Sequence, residues 1–533
     1  MSKKKTAWLF GLLIFYFIFA MHISWPNRGG SGFYLPWNMI GLMVIALLVV
    51  GAMAIARPPL AGSRFFNRLA MGSVVLLLPL LWTRAPYLAE ALPRLIGLLL
   101  GVAAYLALLQ YPLTRQWRQR LLIILLAATA IEALFATVQY LWVMPNNLLP
   151  YGIFQQVNVL ASFMACGLAL ALCLFCGQVD RSLQALIVLM LFMAPFLLLI
   201  LFSRVGLLAF ILLTPLQLWL LYRVSRPRFT LAVLLMLSGL LAAWLAIALK
   251  GAPREITTFS TISYRLIGWQ EAWQMLWEKP WLGWGYGSFQ YHFLHHIHLT
   301  HPDLQLSFNL SHPHNEILLW GVEGGLLSLA GIVLICFGLW QLLRRNKVLL
   351  LRPLPLLAAL PILLHMMVEY PLSLSAAHGV WLLVLLRTGD VRQRYRQAIG
   401  PQQVARVTTV GIAVLTLLYM ANGLHSSMII TAVEKRGLRP FAAMQQVMTP
   451  TPWQTRYDFD LYLYQLLQYP QSKDLAVLRG YQQWGELEIR VRPEANIYFN
   501  LTLVSRLLQQ QRANALVLEA QRLFPEDKRF KEE

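Results

Sequence analysis

The feature of this sequence that most constrains its fold is a series of apolar runs, each roughly 17–25 residues long, the length at which a helix spans the ~30 Å hydrocarbon core of a bilayer. About thirteen such runs follow one another, and only 13% of the residues are charged. Soluble domains average ~25% charged residues, so a water-soluble globular enzyme is excluded. The sequence predicts an all-α, polytopic integral membrane protein. The predicted helices span about 7–24, 36–56, 67–83, 92–110, 120–143, 157–177, 183–202, 205–222, 230–249, 315–340, 353–369, 373–387 and 406–426.

Basic residues cluster in every second gap between the apolar runs, as at Lys4, Arg118 and Arg345, and the chain has a net charge of +21. Cytoplasmic loops of membrane proteins carry an excess of lysine and arginine. We therefore predict a multi-pass protein of the bacterial inner membrane, with a cytoplasmic N-terminus and, from the odd helix count, a periplasmic C-terminus. No nucleic-acid partner is predicted, because a nucleic-acid face would form one contiguous basic patch.

Two segments on the far side are long: a loop at about 250–314 and a tail at about 428–533. The predicted organisation is a transmembrane domain over 1–427, which includes the loop 250–314, and a helical periplasmic domain over 428–533. In the loop, Trp269, Trp273 and Trp277 recur every four residues. An aromatic stripe with that spacing is typical of a helix in the headgroup interface.

The tail reads as a series of short helices separated by turns that contain proline. The last pair is similar to one helix–turn–helix unit of a tetratricopeptide-like array, although ordinary helical hairpins share that pattern. The predicted tail helices span about 434–448, 454–468, 472–489, 494–510 and 512–523.

The sequence predicts neither a metal nor another cofactor. It contains no phosphate-binding GxxxxGK[ST] loop, and the glycines of 283–287 read as turn glycines. No carboxylate pair that would hold Mg²⁺ or Mn²⁺ stands on the far side. The loop holds seven of the eleven histidines. A transition-metal site is one interpretation of that cluster, and hydrogen bonding at the interface is the favoured one.

Two arginines on the far side are candidates for binding phosphate. Arg204 stands at a tight turn between two apolar spans, and Arg265 begins the helix with the tryptophan stripe. A guanidinium is a planar fork of donors that matches phosphate oxygens, so both suit a lipid-linked pyrophosphate. The alternative is that each arginine snorkels to the lipid headgroups.

Other polar groups lie where apolar spans begin or are interrupted. His314 precedes a span, and an imidazole there can accept a proton from an attacking hydroxyl. We interpret Glu132 and Glu323 as hydrogen-bond anchors between helices. The polar groups that interrupt the apolar run at 353–387, among them His365, Glu369, Tyr370 and His378, are expected to face an internal cavity and not lipid. The amides Gln155, Gln156 and Asn158, which open another span, are expected to cap its helix or to line a polar site.

Five stretches of the sequence carry a resemblance to one superfamily. They are GIFQQVNVLASF at 152–163, Ser203-Arg204, the segment 265–289 with PWLGWGYG, PHNEILLWGVEGG at 313–325, and HMMVEYP at 365–371. At these residues the chain resembles the O-antigen ligase superfamily, which includes WaaL ligases, Wzy polymerases and PglL-type protein O-oligosaccharyltransferases. The PglL-type pattern has one glutamine before its asparagine, whereas this chain has two.

The resemblance implies an inverting, metal-independent glycosyltransferase. Its expected partners are an undecaprenyl-pyrophosphate-linked glycan as donor, Ser/Thr hydroxyls of a periplasmic or pilin-like protein as acceptor, and the lipid bilayer. The implied catalytic residues are His314, Arg265 and Arg204. The implied substrate-binding residues are Gln155, Gln156, Asn158, Asn315, Glu323, His365, Glu369 and Tyr370.

Two alternatives stay open. The first is an enzyme of the same superfamily with another acceptor, either an O-antigen ligase acting on lipid A core or a Wzy-type polymerase. The second is a transporter of lipid-linked glycan, for which inverted repeats and helices broken at mid-membrane would be expected. The sequence shows no internal repeat.

Overall fold

The computed structural model describes residues 3–23, 25–145, 148–177, 180–251, 260–302, 309–345, 355–394 and 399–531. Parts of the predicted loop, at 252–259 and 303–308, lie outside the described residues. Helices make up most of the described chain, and two short strands, β1 (Ala61–Gly62) and β2 (Gln393–Arg394), pair antiparallel. The helices are α1 (Lys3–Ile18), α2 (Pro36–Ile55), α3 (Arg64–Leu77), α4 (Leu88–Leu109), α5 (Arg115–Val138), α6 (Val157–Phe175), α7 (Arg181–Leu201), α8 (Arg204–Val224), α9 (Arg226–Lys250), α10 (Ser260–Glu278), α11 (Phe289–Thr300), α12 (Glu316–Arg345), α13 (Leu360–Met366), α14 (Pro371–Leu374), α15 (Ala376–Gly389), α16 (Ile399–Lys435), α17 (Gln454–Ser472), α18 (Leu475–Glu488), α19 (Ala495–Leu507) and α20 (Arg512–Leu523).

The apolar runs form helices as predicted. Within the described residues, ten helical stretches are long and apolar enough to cross a membrane. Three shorter apolar helices, Trp8–His22, Pro355–Met366 and Ala376–Gly389, lie at the remaining three predicted positions. An all-α, polytopic membrane protein is therefore confirmed.

The chain divides into two compact units. Unit 1 comprises Met1–Ser73, Ile96–Thr258 and Val333–Leu424. Its central helix is α6, which packs against α5, α7 and α8. Most side chains of α6, mainly leucine and alanine, are buried. Of its apolar, membrane-spanning stretch, 83% lies inside the protein. The residues at the start of α6 are therefore held on a rigid element.

Unit 2 comprises Val74–Leu95, Phe259–Ile332 and His425–Glu533. One of its apolar cores joins α10, α11 and the start of α12. A second core is formed by side chains of α18, α19 and α20 together with Leu294 of α11. Leu294 is fully buried there, so a residue of the loop completes the core of the tail.

One tail helix was wrongly predicted. The predicted helix at 434–448 is instead the end of α16, a turn and a short 3₁₀ helix over Phe441–Gln446. Gly437 and Leu438 have positive φ angles of 64° and 62°, which end the α-helical path. Pro440 follows, and proline is common just beyond a helix C-terminus. The other four predicted tail helices are confirmed as α17 to α20.

Candidate functional site

The amide motif at 152–158 lies in unit 1 and is held in place by two side chains of the α5 region. Gln139 accepts a hydrogen bond from the Gly152 amide at 2.8 Å and donates to its carbonyl at 3.2 Å. Glu132 accepts a hydrogen bond from the Ile153 amide at 2.6 Å. Gly152 has φ +61°, and a Cβ there would overlap the Glu132 carboxylate. Only glycine fits this position.

Glu132 also links helices within unit 1. It is fully buried in α5, and its second oxygen lies 3.0 Å from Nδ1 of His22. The interpretation of Glu132 as an anchor between helices is therefore confirmed, and the anchor fixes the backbone of the amide motif.

The amide motif contacts the arginine turn. Asn158, in the first turn of α6, accepts a hydrogen bond from the Ser203 hydroxyl at 2.8 Å. Ser203 precedes Arg204, the exposed first residue of α8. Of the two glutamines, Gln155 is exposed with φ +53°, and Gln156 is half-buried at the N-cap of α6. Two of the predicted motifs, far apart in sequence, are thus adjacent in unit 1.

The HMMVEYP motif, also in unit 1, contributes His365 to a buried chain of hydrogen bonds. Nδ1 of His365 lies 2.8 Å from the Ser162 hydroxyl, and Nε2 of His378 lies 3.0 Å from the same oxygen. Nδ1 of His378 lies 3.0 Å from the Ser375 hydroxyl. The side chains of His365 and His378 are wholly buried. Ser162, which the sequence analysis missed, is one helical turn after Asn158 on α6.

His365, Glu369 and His378 are buried within the protein, as expected for polar groups that interrupt an apolar run. Glu369 is 2% exposed and lies between the short helices α13 and α14, while Tyr370 is half-buried at the start of α14. Burying a carboxyl is costly unless it has partners within the protein.

Unit 2 brings the helix of Arg265 next to His314. Nε1 of Trp269, on α10, donates a hydrogen bond to the Pro313 carbonyl at 2.7 Å. Arg265 is half-buried one turn earlier on α10, about 6 Å along the helix axis at 1.5 Å per residue. His314 follows Pro313 with φ +49°. The oxygen of Asn315 accepts a hydrogen bond from the Leu318 amide at 3.0 Å and so caps the start of α12.

The glycine motif of the loop docks into a break in α12. At Gly325 the backbone leaves the helical path, with φ 67° and ψ −166°. The carbonyls of Val322 and Glu323 accept hydrogen bonds from the amides of Trp284 and Gly285 at 3.0 and 2.8 Å. The Leu326 amide donates to the Pro280 carbonyl at 2.6 Å.

This contact between the 280–285 segment and the broken part of α12 explains the glycines of both motifs. A Cβ at Gly283 would overlap the Glu323 backbone, and a Cβ at Gly325 would overlap the Trp281 carbonyl. Gly283, Gly285 and Gly287 all have positive φ angles. The interpretation of the loop glycines as turn glycines is confirmed.

Arg94 is the polar residue that the sequence analysis missed in unit 2. Its guanidinium, on α4, donates a hydrogen bond to the Glu323 carboxylate and lies 4.4 Å from the Trp320 ring centroid. The other Glu323 oxygen accepts a hydrogen bond from the Phe289 amide at 3.2 Å. The Arg94 side chain is 10% exposed and that of Glu323 3% exposed. The signal in the sequence was an arginine standing inside a predicted span.

Histidines of the loop make hydrogen bonds with carboxylates. His296 lies between Glu271 and Glu278, at 3.1 and 2.8 Å, and His301 lies 2.8 Å from the other oxygen of Glu271. His292 differs, because burial and the neighbouring Lys279 lower its pKa to about 4. Its imidazole is therefore neutral at pH 7.

Three family models match the chain. "Protein glycosylation ligase" matches residues 150–175 and so covers the amide motif. "O-Antigen ligase" matches 185–333, which includes the arginine turn, α10, the glycine motif and the start of α12. "Virulence factor membrane-bound polymerase, C-terminal" matches 354–533. No match was found among curated proteins.

These families indicate glycan transfer of the O-antigen ligase and PglL type. The matches follow one another along the chain from residue 150 to residue 533. The motifs that the structure brings together, at 152–158 with Ser203-Arg204 and at 280–285 with 322–326, lie within the first two of them. The protein belongs to the superfamily of O-antigen ligases and PglL-type protein glycosylation ligases.

Proposed function

We propose that the protein transfers a preassembled glycan from an undecaprenyl-pyrophosphate carrier to Ser/Thr hydroxyls of a periplasmic or pilin-like protein. The observation that carries this proposal is the hydrogen bond from Trp269 to the Pro313 carbonyl. It holds a guanidinium-bearing helix beside His314 within one unit. The match to a protein glycosylation ligase over 150–175 supports a protein acceptor.

In the proposed reaction the acceptor oxygen attacks the anomeric carbon of the first sugar, and the bond from that carbon to the pyrophosphate breaks. His314 takes the proton of the hydroxyl. The electron pair leaves with the pyrophosphate, whose growing negative charge is stabilised by the guanidinium of Arg265. Attack opposite the leaving group inverts the anomeric centre. Arg204 is the second proposed phosphate ligand, and it removes the need for a divalent ion.

Gln155 or Gln156, Asn158, Asn315, His365, Glu369 and Tyr370 are proposed to position the donor or the acceptor. The hydrogen bond between Asn158 and Ser203 supports this for Asn158, because it places the amide next to the arginine turn. Asn315 is proposed to contact substrate from the start of α12, where its oxygen caps the helix.

The proposed location is the inner membrane, with the N-terminus in the cytoplasm and the loop and tail in the periplasm. The alternation of basic gaps supports this topology. The organisation into a transmembrane domain over 1–427 and a tail domain over 428–533 remains a prediction.

Substitutions test the residue assignment. Arg265→Ala and His314→Ala should each lower the glycan transfer rate at least about 100-fold, because fixed charge stabilisation and general base catalysis each contribute on that order. Arg265→Lys should stay at least about 10-fold below wild type, because a lysine lacks the planar fork. The measurement is glycosylated acceptor formed per unit of membrane-inserted protein.

Matched controls are Arg223→Ala and His425→Ala, which replace exposed residues outside the proposed machinery and should leave transfer unchanged. Near-normal transfer by both Arg265→Ala and His314→Ala would refute the assignment.

A different acceptor is the second candidate function. The matches to an O-antigen ligase and to a membrane-bound polymerase favour it. The three enzymes are distinguished by offering one acceptor at a time with the same donor: lipid A core, a growing glycan or a pilin-like protein. The acceptor that gains glycan identifies the enzyme.

For a transporter, the supporting observation is the break in α12 at Gly325. Donor that moves between leaflets without any glycan transfer would support that alternative.

A further inference from the structure

The first part of α12, from Glu316 to the break at Gly325, is a short helix whose orientation depends on tertiary contacts. It is nine residues long up to Gly324, and isolated helices shorter than ~12–15 residues are marginal in water. His314 stands immediately before its capping residue, Asn315. Any rotation of this short helix therefore moves the imidazole.

Three sets of contacts hold the short helix. Trp269 binds the Pro313 carbonyl at its start. The 280–285 segment binds the carbonyls of Val322 and Glu323 at its end. Arg94 contacts the helix from one side. Its guanidinium lies 4.4 Å from the Trp320 ring centroid and donates a hydrogen bond to the Glu323 carboxylate.

We infer that Arg94 is a positioning residue for His314, which acts through Trp320 and Glu323 on the short helix; this inference rests on the proposed function of His314. The contacts also assign Glu323 to positioning and not to substrate binding. Both of its oxygens are engaged within the protein, one by Arg94 and one by the Phe289 amide, and the side chain is 3% exposed.

The charge of Arg94 interacts with two buried carboxyls on the short helix, those of Glu323 and Glu316. Glu316, one turn before Trp320, is a second buried carboxyl on the short helix, and its oxygen accepts a hydrogen bond from Nε1 of Trp320 at 3.3 Å. Tyr286 covers the guanidinium with its ring centroid 5.2 Å away. Removing one partner of a buried ion pair leaves an uncompensated charge and is strongly destabilising, whereas replacing both partners is often neutral.

The variants that test the inference are Arg94→Met, Arg94→Lys and the double substitution Arg94→Met/Glu323→Gln. The matched control is Arg84→Met, which replaces an exposed arginine in the same unit. Each protein is reconstituted at full length and measured for thermal midpoint, for kcat and donor KM of glycan transfer, and for hydrogen exchange of the 315–324 amides.

We expect Arg94→Met to lower kcat at least about 10-fold with donor KM within about 3-fold, as for loss of precise orientation. Exchange of the 315–324 amides should accelerate while the α18–α19 amides stay unchanged. Arg94→Lys should recover the thermal midpoint and only part of kcat, because an ammonium keeps the charge without the planar stack. The double substitution should likewise recover the midpoint with kcat still low. Arg84→Met should behave as wild type.

Unchanged exchange at 315–324 in Arg94→Met overturns the inference, as does kcat that follows the thermal midpoint across all variants. If wild-type protein transfers no glycan in this assay, the proposed function fails. The exchange measurement still decides whether Arg94 holds the short helix.

Discussion

His292 is a neutral histidine inside a basic part of unit 2. Its ring lies 4.7 Å from the Trp284 ring and 5.9 Å from the Tyr87 ring. Burial lowers its pKa from 6.5 to about 4, with smaller contributions from Lys279, His295 and Arg84. Between these two pH values, His292 therefore binds a proton in the unfolded chain but not in the folded protein.

The free energy of unfolding is predicted to fall as the pH decreases from about 6.5 to about 4, because the unfolded chain binds the additional proton in that range. His292→Phe keeps the aromatic contact with Trp284 and removes the titration. The loss of stability at pH 4 should shrink by on the order of 1–3 kcal/mol. Thermal unfolding in detergent at pH 4 to 7.5 measures it, with His425→Phe as control. Identical pH profiles for His292→Phe and wild type would contradict the account.

Individual site residues differ in how far the sequence could reveal them. A histidine or glutamate inside an apolar run is conspicuous, because its burial requires partners. The buried positions of His365, Glu369 and Glu132 were predictable for this reason. Ser162 was not, because serine also packs as a small residue in membrane helices. Arg94 stands inside the predicted span 92–110, but only the fold shows that Glu323 is its partner.

At the scale of secondary structure, the loop helix α11 belongs to the core of the tail. Leu294 is fully buried in an apolar cluster that includes Leu478, Tyr498 and Leu516. Next to it on α11, Nε2 of His295 lies 3.7 Å from the Glu519 carboxylate. The loop and the tail therefore stabilise each other within unit 2.

Leu294→Ala is predicted to destabilise unit 2 by about 2–5 kcal/mol, the usual cost of truncating a buried leucine. Limited proteolysis should then cleave the α17–α20 region faster. Leu299→Ala is the control on the same helix, because Leu299 is 66% exposed. Equal cleavage rates for Leu294→Ala and Leu299→Ala would show that α11 does not complete the tail core.

The apolar helices could be predicted because length and hydropathy determine which segments can span a bilayer. The break at Gly325 could not, because a glycine inside an apolar run is compatible with a continuous helix. The non-helical backbone at Gly325 depends on hydrogen bonds with a segment about forty residues earlier in the chain. The amides of Trp284 and Gly285 donate to carbonyls before the break, and the Pro280 carbonyl accepts from the amide after it. The error at 434–448 has a local cause, because Gly437 and Leu438 take positive φ angles and Pro440 follows them, which ends the helix.

At the scale of the whole molecule, unit 2 gathers three stretches that are distant in sequence: Val74–Leu95, Phe259–Ile332 and His425–Glu533. Arg492, near the start of α19, lies 3.5 Å from Glu90 of α4, and the Asn309 amide group donates to the Pro493 carbonyl at 3.1 Å. Sequence patterning delimits segments of uniform composition, so it cannot show which distant segments fold together.

The central claim is that fixed guanidinium charges, and not a divalent ion, stabilise the departing pyrophosphate. The most direct measurement is glycan transfer by purified protein in liposomes that contain undecaprenyl-pyrophosphate-linked glycan, with a pilin-like acceptor and EDTA. The account predicts Ser/Thr-linked glycan on the acceptor at a rate that EDTA leaves unchanged and that Arg265→Ala abolishes. Transfer that stops in EDTA and returns with a divalent ion would contradict it.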